Sequence, residues 1–170
     1  MSIPYQEMKD NFFNEEELKI VNNHLKKYPH KMAATLPVLW MIQDKYGWIS
    51  KDAMRYVAGL LDVPPDHVYG VVTFYTMYNE KPVGKVHLQI CTNVSCMLNG
   101  AYDIFHYISD KLKIKNKETT TDGIFTIEEV ECLGSCGTAP MMQVNNREYH
   151  ENLSLDKIDT LLDELKSKHI

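Results

Sequence analysis

Basic residues are the first thing this 170-residue chain is short of: 18 Lys and Arg stand against 23 Asp and Glu, a formal net charge of -5. Phosphate binding wants a basic face, so nucleic acid is not expected as a partner. No apolar run approaches the roughly 18 residues needed to span a bilayer, so no direct membrane insertion is expected. Residues 1–13 hold no basic segment followed by an apolar one, which reads against a secretory signal and for a soluble, intracellular chain. No G-x-G-x-x-G follows a strand pattern and there is no Walker loop, so no NADH or flavin site is expected on this chain alone. With 44% hydrophobic and 24% charged residues, the length suffices for one ordinary domain or two small ones with a buried core.

What is present changes character near residue 80. Asn14 with Glu17 forms a capping-box pattern before Leu18, Val21, Leu25 and Tyr28 at helical spacing, with Pro29 as the stop. A second helix is predicted over 33–46, with Leu36, Leu39, Trp40 and Ile42 inward and Gly47 just beyond its end. Ser50 should cap a third helix carrying Met54, Val57, Leu60 and Leu61. Pro64-Pro65 should open a fourth, through Val68 and Val71 to about Tyr75. These four helices predict a helical bundle over residues 1–80. A linker pattern, Asn79 to Gly84, leads into a second domain over 81–170.

There Val86, Leu88 and Ile90 alternate as a strand that ends at Cys91. A helix is predicted over 97–112 with Tyr102, Phe105, Ile108 and Leu112 on one face, then an exposed loop over 113–121. Phe125, Ile127 and Val130 mark a second strand that ends at Cys132. Asn145-Asn146 reads as a hairpin turn between two short strands, and Ser154 as the cap of a last helix with Leu155, Ile158, Leu161, Leu162 and Leu165 inward. The expected class is α+β: a helical bundle, then a mixed sheet with flanking helices.

Only four cysteines occur, and they carry most of the information. Cys91 and Cys96 form a C-x4-C, Cys132 and Cys136 a C-x3-C, each directly behind a predicted strand. If those strands are neighbours, both loops leave the same sheet edge and four thiolates converge. Four thiolates suit a zinc ion or an iron–sulfur cluster. A single zinc ion usually takes tight C-x2-C knuckles, whereas a 2Fe–2S rhomb needs two thiolates at each end, so the spacing favours iron and sulfur. Zinc remains open, and a disulfide or thiol-redox pair ranks third. Gly134 and Gly137 would let backbone amides approach sulfur, while small Ser135 and Thr138 avoid crowding.

Three segments together carry a resemblance: 91–96, 129–145 with Ala139-Pro140, and Tyr69-Gly-Val-Val-Thr-Phe-Tyr75. From about Phe13 to Leu165 the chain resembles the E-subunit family of bacterial complex I. These are the small 2Fe–2S subunits of NADH-quinone oxidoreductase, a helical region followed by a thioredoxin-like ferredoxin domain. The resemblance implies one 2Fe–2S cluster, with Cys91 and Cys96 on one iron and Cys132 and Cys136 on the other, as metal and cofactor ligands. It implies a partner, the flavoprotein or F subunit, that holds FMN and the NADH site. It also implies a place in the cytoplasmic, peripheral arm of a membrane-bound complex. A hydride brings two electrons to a flavin and a 2Fe–2S centre takes one, so the cluster would act as a side acceptor or relay. Related subunits serve NAD-linked hydrogenases and formate dehydrogenases, which leaves the parent assembly open. The family often has Pro before its second cysteine; Ser95 stands there, and little effect is expected.

The remaining candidates have plainer readings. His24, His30, His67, His87, His106, His150 and His169 lack metal spacing and read as surface or packing residues. Trp40 and Phe74 read as core of the helical half, while Tyr75, Met77 and Tyr78 lie near the linker, where exposure would suggest docking. Met141-Met142 should pack beside the second cysteine loop, and Glu128, Glu129 and Glu131 read as solvated charges near it. The Ala139-Pro140 isomer is left open, most X–Pro bonds being trans.

Overall fold

Helix formation starts at Asn14, whose side chain accepts from the Glu17 amide at 2.9 Å while Glu17 accepts from the Asn14 amide at 2.7 Å. Two orphan amides are thereby satisfied, the purpose of a capping box. The computed structural model describes residues 12–169, the His169 side chain excepted, and divides after Pro82 into two compact units. Residues 1–11, which open the leader segment read above, lie outside the described residues.

The first unit holds α1 (Glu15–Leu25), a 3-10 turn (Lys31–Ala34), α2 (Thr35–Tyr46), α3 (Lys51–Leu61) and α4 (Pro65–Phe74). Its core gathers Val21, Val38, Leu39, Ile42, Tyr56 and Leu61. Ser50 caps α3 by accepting from the Ala53 amide at 3.1 Å, and Pro65 sits in the first turn of α4. Buried Gln43 ties down the chain's exit, donating to the Met77 carbonyl and accepting from the Asn79 amide, both at 2.7 Å.

Several burial expectations fail here. α1 ends at Leu25, before Pro29 can act, and Tyr28 is exposed. Thr35, Val38 and Leu39, and not Leu36, are buried in the first turns of α2, whose start is shifted by the 3-10 turn. Phe74, read as core, is 76% exposed at the end of α4, because the helix turns Val68 and Val72 inward instead. Tyr78 is buried, its hydroxyl donating to the Leu36 carbonyl at 2.9 Å.

The second unit is built on a four-stranded sheet of order β2-β1-β3-β4, with β1 (Val86–Cys91), β2 (Phe125–Val130), β3 (Met142–Val144) and β4 (Glu148–His150). β1 runs parallel to β2 and antiparallel to β3, a mixed sheet. Val86, Leu88 and Ile90 lie in one core with Ile104, Ile108 and Ile158, and each such buried aliphatic side chain contributes about 1.5–3 kcal/mol. Asn145 and Asn146 adopt φ of 52° and 55°, which makes the β3–β4 turn the predicted tight hairpin. At Gly84 a Cβ would stand 2.6 Å from the Ile124 carbonyl oxygen, so only glycine lets the chain enter the sheet there.

The helix predicted over 97–112 is two: α5 (Val94–Leu98) and α6 (Ala101–Leu112), parted by Gly100 at φ 89°. The break rotates α6 so that Ile104 is buried and Tyr102 is exposed. The loop at 113–121 is not wholly exposed: Ile114 is buried, and Thr119 bridges Thr126. Helix α7 (Leu155–His169) buries Ile158, Leu162 and Leu165 but leaves Leu155 exposed in its first turn. The Ala139-Pro140 peptide bond is cis. Among the described residues, no helix is long and apolar enough to cross a membrane.

Candidate metal centre

Parallel pairing of β1 with β2 sets Cys91 opposite Val130, so the two cysteine loops leave the same end of the sheet. The Thr92 amide extends that ladder to the Val130 carbonyl at 3.1 Å, and the Cys91 amide reaches the Met141 carbonyl at 3.2 Å. Asn93 caps α5 by accepting from the Val94 amide at 2.8 Å, and the helix carries Cys96 inward. Cys91 and Cys96 are each 2% exposed, packed with Ala101, Met141, Leu133 and Ala139. Met142, expected beside Met141 here, belongs to the sheet's main core.

The second pair differs. Cys132 and Cys136 are exposed, with their sulfurs 3.4 Å apart. Two sulfurs on one tetrahedral metal at about 2.3 Å stand roughly 3.7 Å apart, so this separation suits a shared metal within a few tenths of an ångström. Gly134, at φ 84°, turns its amide onto the Cys132 sulfur at 3.4 Å, as the loop composition predicts. Gly137 stands in the 3-10 turn Cys136–Thr138.

The thiols respond to one another across the two loops. Burial, reinforced by the Cys91 thiol, pushes the Cys96 thiol up to about 11, against the pull of a hydrogen bond at Met141. The Gly134 amide and then the Cys136 thiol hold Cys132 below the ordinary cysteine range. Cys136 is raised in turn, chiefly by its bond to Cys132 and also by the charge on Cys91. The Cys96 and Cys136 thiols, both raised beside neighbouring sulfurs, are ones that a cationic metal centre would help to ionise. The residues therefore fit a metal–thiolate group. Among the described residues no three Cys, His, Asp or Glu converge to hold one ion, and a two-iron cluster asks for only two thiolates per iron.

Polar side chains missed in the sequence hold the loops. Ser95 donates to the Cys136 carbonyl at 2.9 Å, so it links the two loops. Asn93 donates to Glu131 at 2.5 Å, making that acid a loop contact and not merely a solvated charge. Glu151 accepts from Ser135 and from Thr138, and the Tyr149 hydroxyl donates to the Leu133 carbonyl at 2.8 Å. No local pattern could reveal these contacts, since their partners lie 13 to 41 residues away.

His87, read as having no role, is 2% exposed on β1 with Nε2 at 3.1 Å from Glu128, which also meets Lys117 at 3.3 Å. Burial alone would raise the Glu128 carboxyl; His87 and Lys117 outweigh it and hold the carboxyl low. His87 is thus a packing histidine within the sheet. The His169 side chain lies outside the described residues.

The sequence model of the thioredoxin-like 2Fe-2S ferredoxin family matches residues 21–166. The chain belongs to that family. Within it, the chain is 44% identical over 161 residues to the E subunit of NADH-quinone oxidoreductase from Rickettsia felis, covering 92% of this chain and 96% of that protein. It is 42% identical to the E subunit of Rickettsia bellii, covering 91% and 94%. It is 38% identical to NADH-quinone oxidoreductase subunit 2 of Thermus thermophilus, covering 92% and 87%. Those relatives are subunits of an oxidoreductase complex. In structure it is similar to an NAD+-reducing NiFe-hydrogenase in the air-oxidised state, with a TM-score of 0.64 at 17% identity over 81% of this chain and 23% of that one. That likeness is one of fold.

Proposed function

We propose that Cys91, Cys96, Cys132 and Cys136 hold one 2Fe–2S cluster, a pair to each iron. We propose further that the chain exchanges single electrons with FMN on a docked, NADH-oxidising flavoprotein subunit, in the cytoplasmic peripheral arm of NADH-quinone oxidoreductase. The observation that carries the reading is that two cysteine pairs leave one end of a parallel strand pair, in a chain of the 2Fe–2S family. When bound, such a cluster takes or gives one electron at a time, whereas a hydride brings two to a flavin.

The chain's own part is positional. Cys91 and Cys96 sit in an apolar wall with Met141 and Ala101, which excludes water from that side. The Gly134 amide donates to the Cys132 sulfur and favours its thiolate. Cys132 and Cys136 lie open, the side from which a redox partner can approach. To test the reading, wild type and a Cys96→Ala variant would each be assembled with the flavoprotein subunit and reduced by NADH. NADH should bleach the visible absorption of the wild-type cluster and find no cluster absorption to bleach in the variant. Wild-type electron-transfer behaviour in Cys96→Ala would end the relay role.

A further inference from the structure

The loop carrying the second cysteine pair has little apolar burial: Cys132, Gly134, Cys136 and Gly137 are all exposed. Ordering such a segment costs about 1–2 kcal/mol per residue in backbone entropy, which contacts from elsewhere must offset. Two side chains supply them. Ser95, on α5 beside Cys96, holds the Cys136 carbonyl at 2.9 Å. Glu151, just past β4, accepts from the Thr138 hydroxyl at 2.6 Å and from the Ser135 hydroxyl, and those two hydroxyls stand 2.7 Å apart. Hydrogen bonds to a carboxylate are charge-assisted and stronger than neutral ones. The Ser135 and Thr138 hydroxyls in turn keep the Glu151 carboxyl below its usual range, so it stays ionised. One residue thus grips the loop at a ligand's own carbonyl, the other on both sides of that ligand.

We propose that Ser95 and Glu151 are positioning residues for Cys132 and Cys136, fixing the exposed loop so that its thiolate pair is held beside the buried one. This rests on the cluster reading above. The test uses the full chain purified anaerobically, with iron content measured first, then the rate of iron loss to a chelator and the visible circular dichroism. Ser95→Ala and Glu151→Ala should lose iron roughly ten-fold faster than wild type and change the dichroism. Ser95→Thr keeps the hydroxyl and Glu151→Gln keeps an accepting oxygen, so both should stay within about two-fold of wild type.

Alanine variants with wild-type iron loss and dichroism would overturn the proposal, as would Thr and Gln variants that lose iron as fast as alanine. Far-UV dichroism identifies any variant that fails to fold; in that event Ser95→Ala against Ser95→Thr decides by the same criteria. An iron-free, colourless wild type would defeat the cluster reading itself. An iron-loaded wild type with indifferent variants would defeat only the positioning role.

Discussion

Cys91 and Cys96 are buried while Cys132 and Cys136 lie open to solvent, although each pair follows a strand of one parallel ladder. The buried pair is placed by secondary structure: Cys91 closes β1 and Cys96 sits inside α5. The exposed pair is placed by hydrogen bonds, from Ser95, Glu151 and Tyr149, onto a loop with no core of its own. The difference teaches how one site can be anchored on one side and accessible on the other. Packing supplies rigidity where water is excluded, and hydrogen bonds supply it where the loop lies open to solvent.

The largest expected effect treats the two pairs alike. If the four cysteines hold the cluster as proposed, replacing any one of them by Ala removes a ligand, and the visible absorption of the purified protein should vanish. A Cys132→Ala or Cys136→Ala variant that kept full colour would break the proposed symmetry of ligation.

The next effect separates the pairs. Ile90→Ala opens a cavity in the sheet's main core, one residue before Cys91 on β1, and should cost about 2–5 kcal/mol in urea unfolding of the second unit. Leu133→Ala, a half-buried residue of the second cysteine loop, should cost well under half as much, since its site can relax toward solvent. Equal losses would mean that the loop is as tightly packed as the strand.

Thiol reactivity of the cluster-free protein gives a third contrast. Alkylation needs the thiolate. Cys132 has its pKa lowered, by the Gly134 amide first and the Cys136 thiol second, so it stays reactive below the pH where an ordinary thiol falls silent. Cys96, pushed up to about 11 by burial and the Cys91 thiol, stays protonated and unlabelled in the folded chain until strongly alkaline pH. Peptide mapping after iodoacetamide at several pH values checks this. Equal labelling of both at about pH 8 would contradict it. The smallest effect is Tyr149→Phe, which removes one bond to the Leu133 carbonyl and should cost about 0.5–1.5 kcal/mol, read by urea unfolding.

Legibility in the sequence followed the range of the interaction. The Asn14–Glu17 box, the Asn145-Asn146 hairpin and the strand ending at Cys91 are local patterns, and the structure has each of them, whereas β2 stops at Val130, two residues short of Cys132. The two cysteine pairs were readable because each follows its strand closely. Phe74 and Leu155 show where local reading fails: each fits an apolar spacing but lies at a helix end that other elements leave uncovered. Tyr102 failed because Gly100 breaks the helix, which resets the face that α6 turns inward. His87 and Gln89 alternate as polar positions yet are buried, because both faces of β1 are covered. Ser95, Glu131, Glu151 and Tyr149 were unreadable as loop clamps, since a polar residue does not announce a partner that only the fold brings near.

The most direct measurement is anaerobic purification followed by iron, sulfide and zinc analysis and electron paramagnetic resonance after dithionite reduction. The expected result is a red-brown protein with two irons and two sulfides per chain and a rhombic signal from the reduced cluster. A colourless protein with one zinc per chain and no signal would contradict it, leaving a zinc-stapled interaction module in its place.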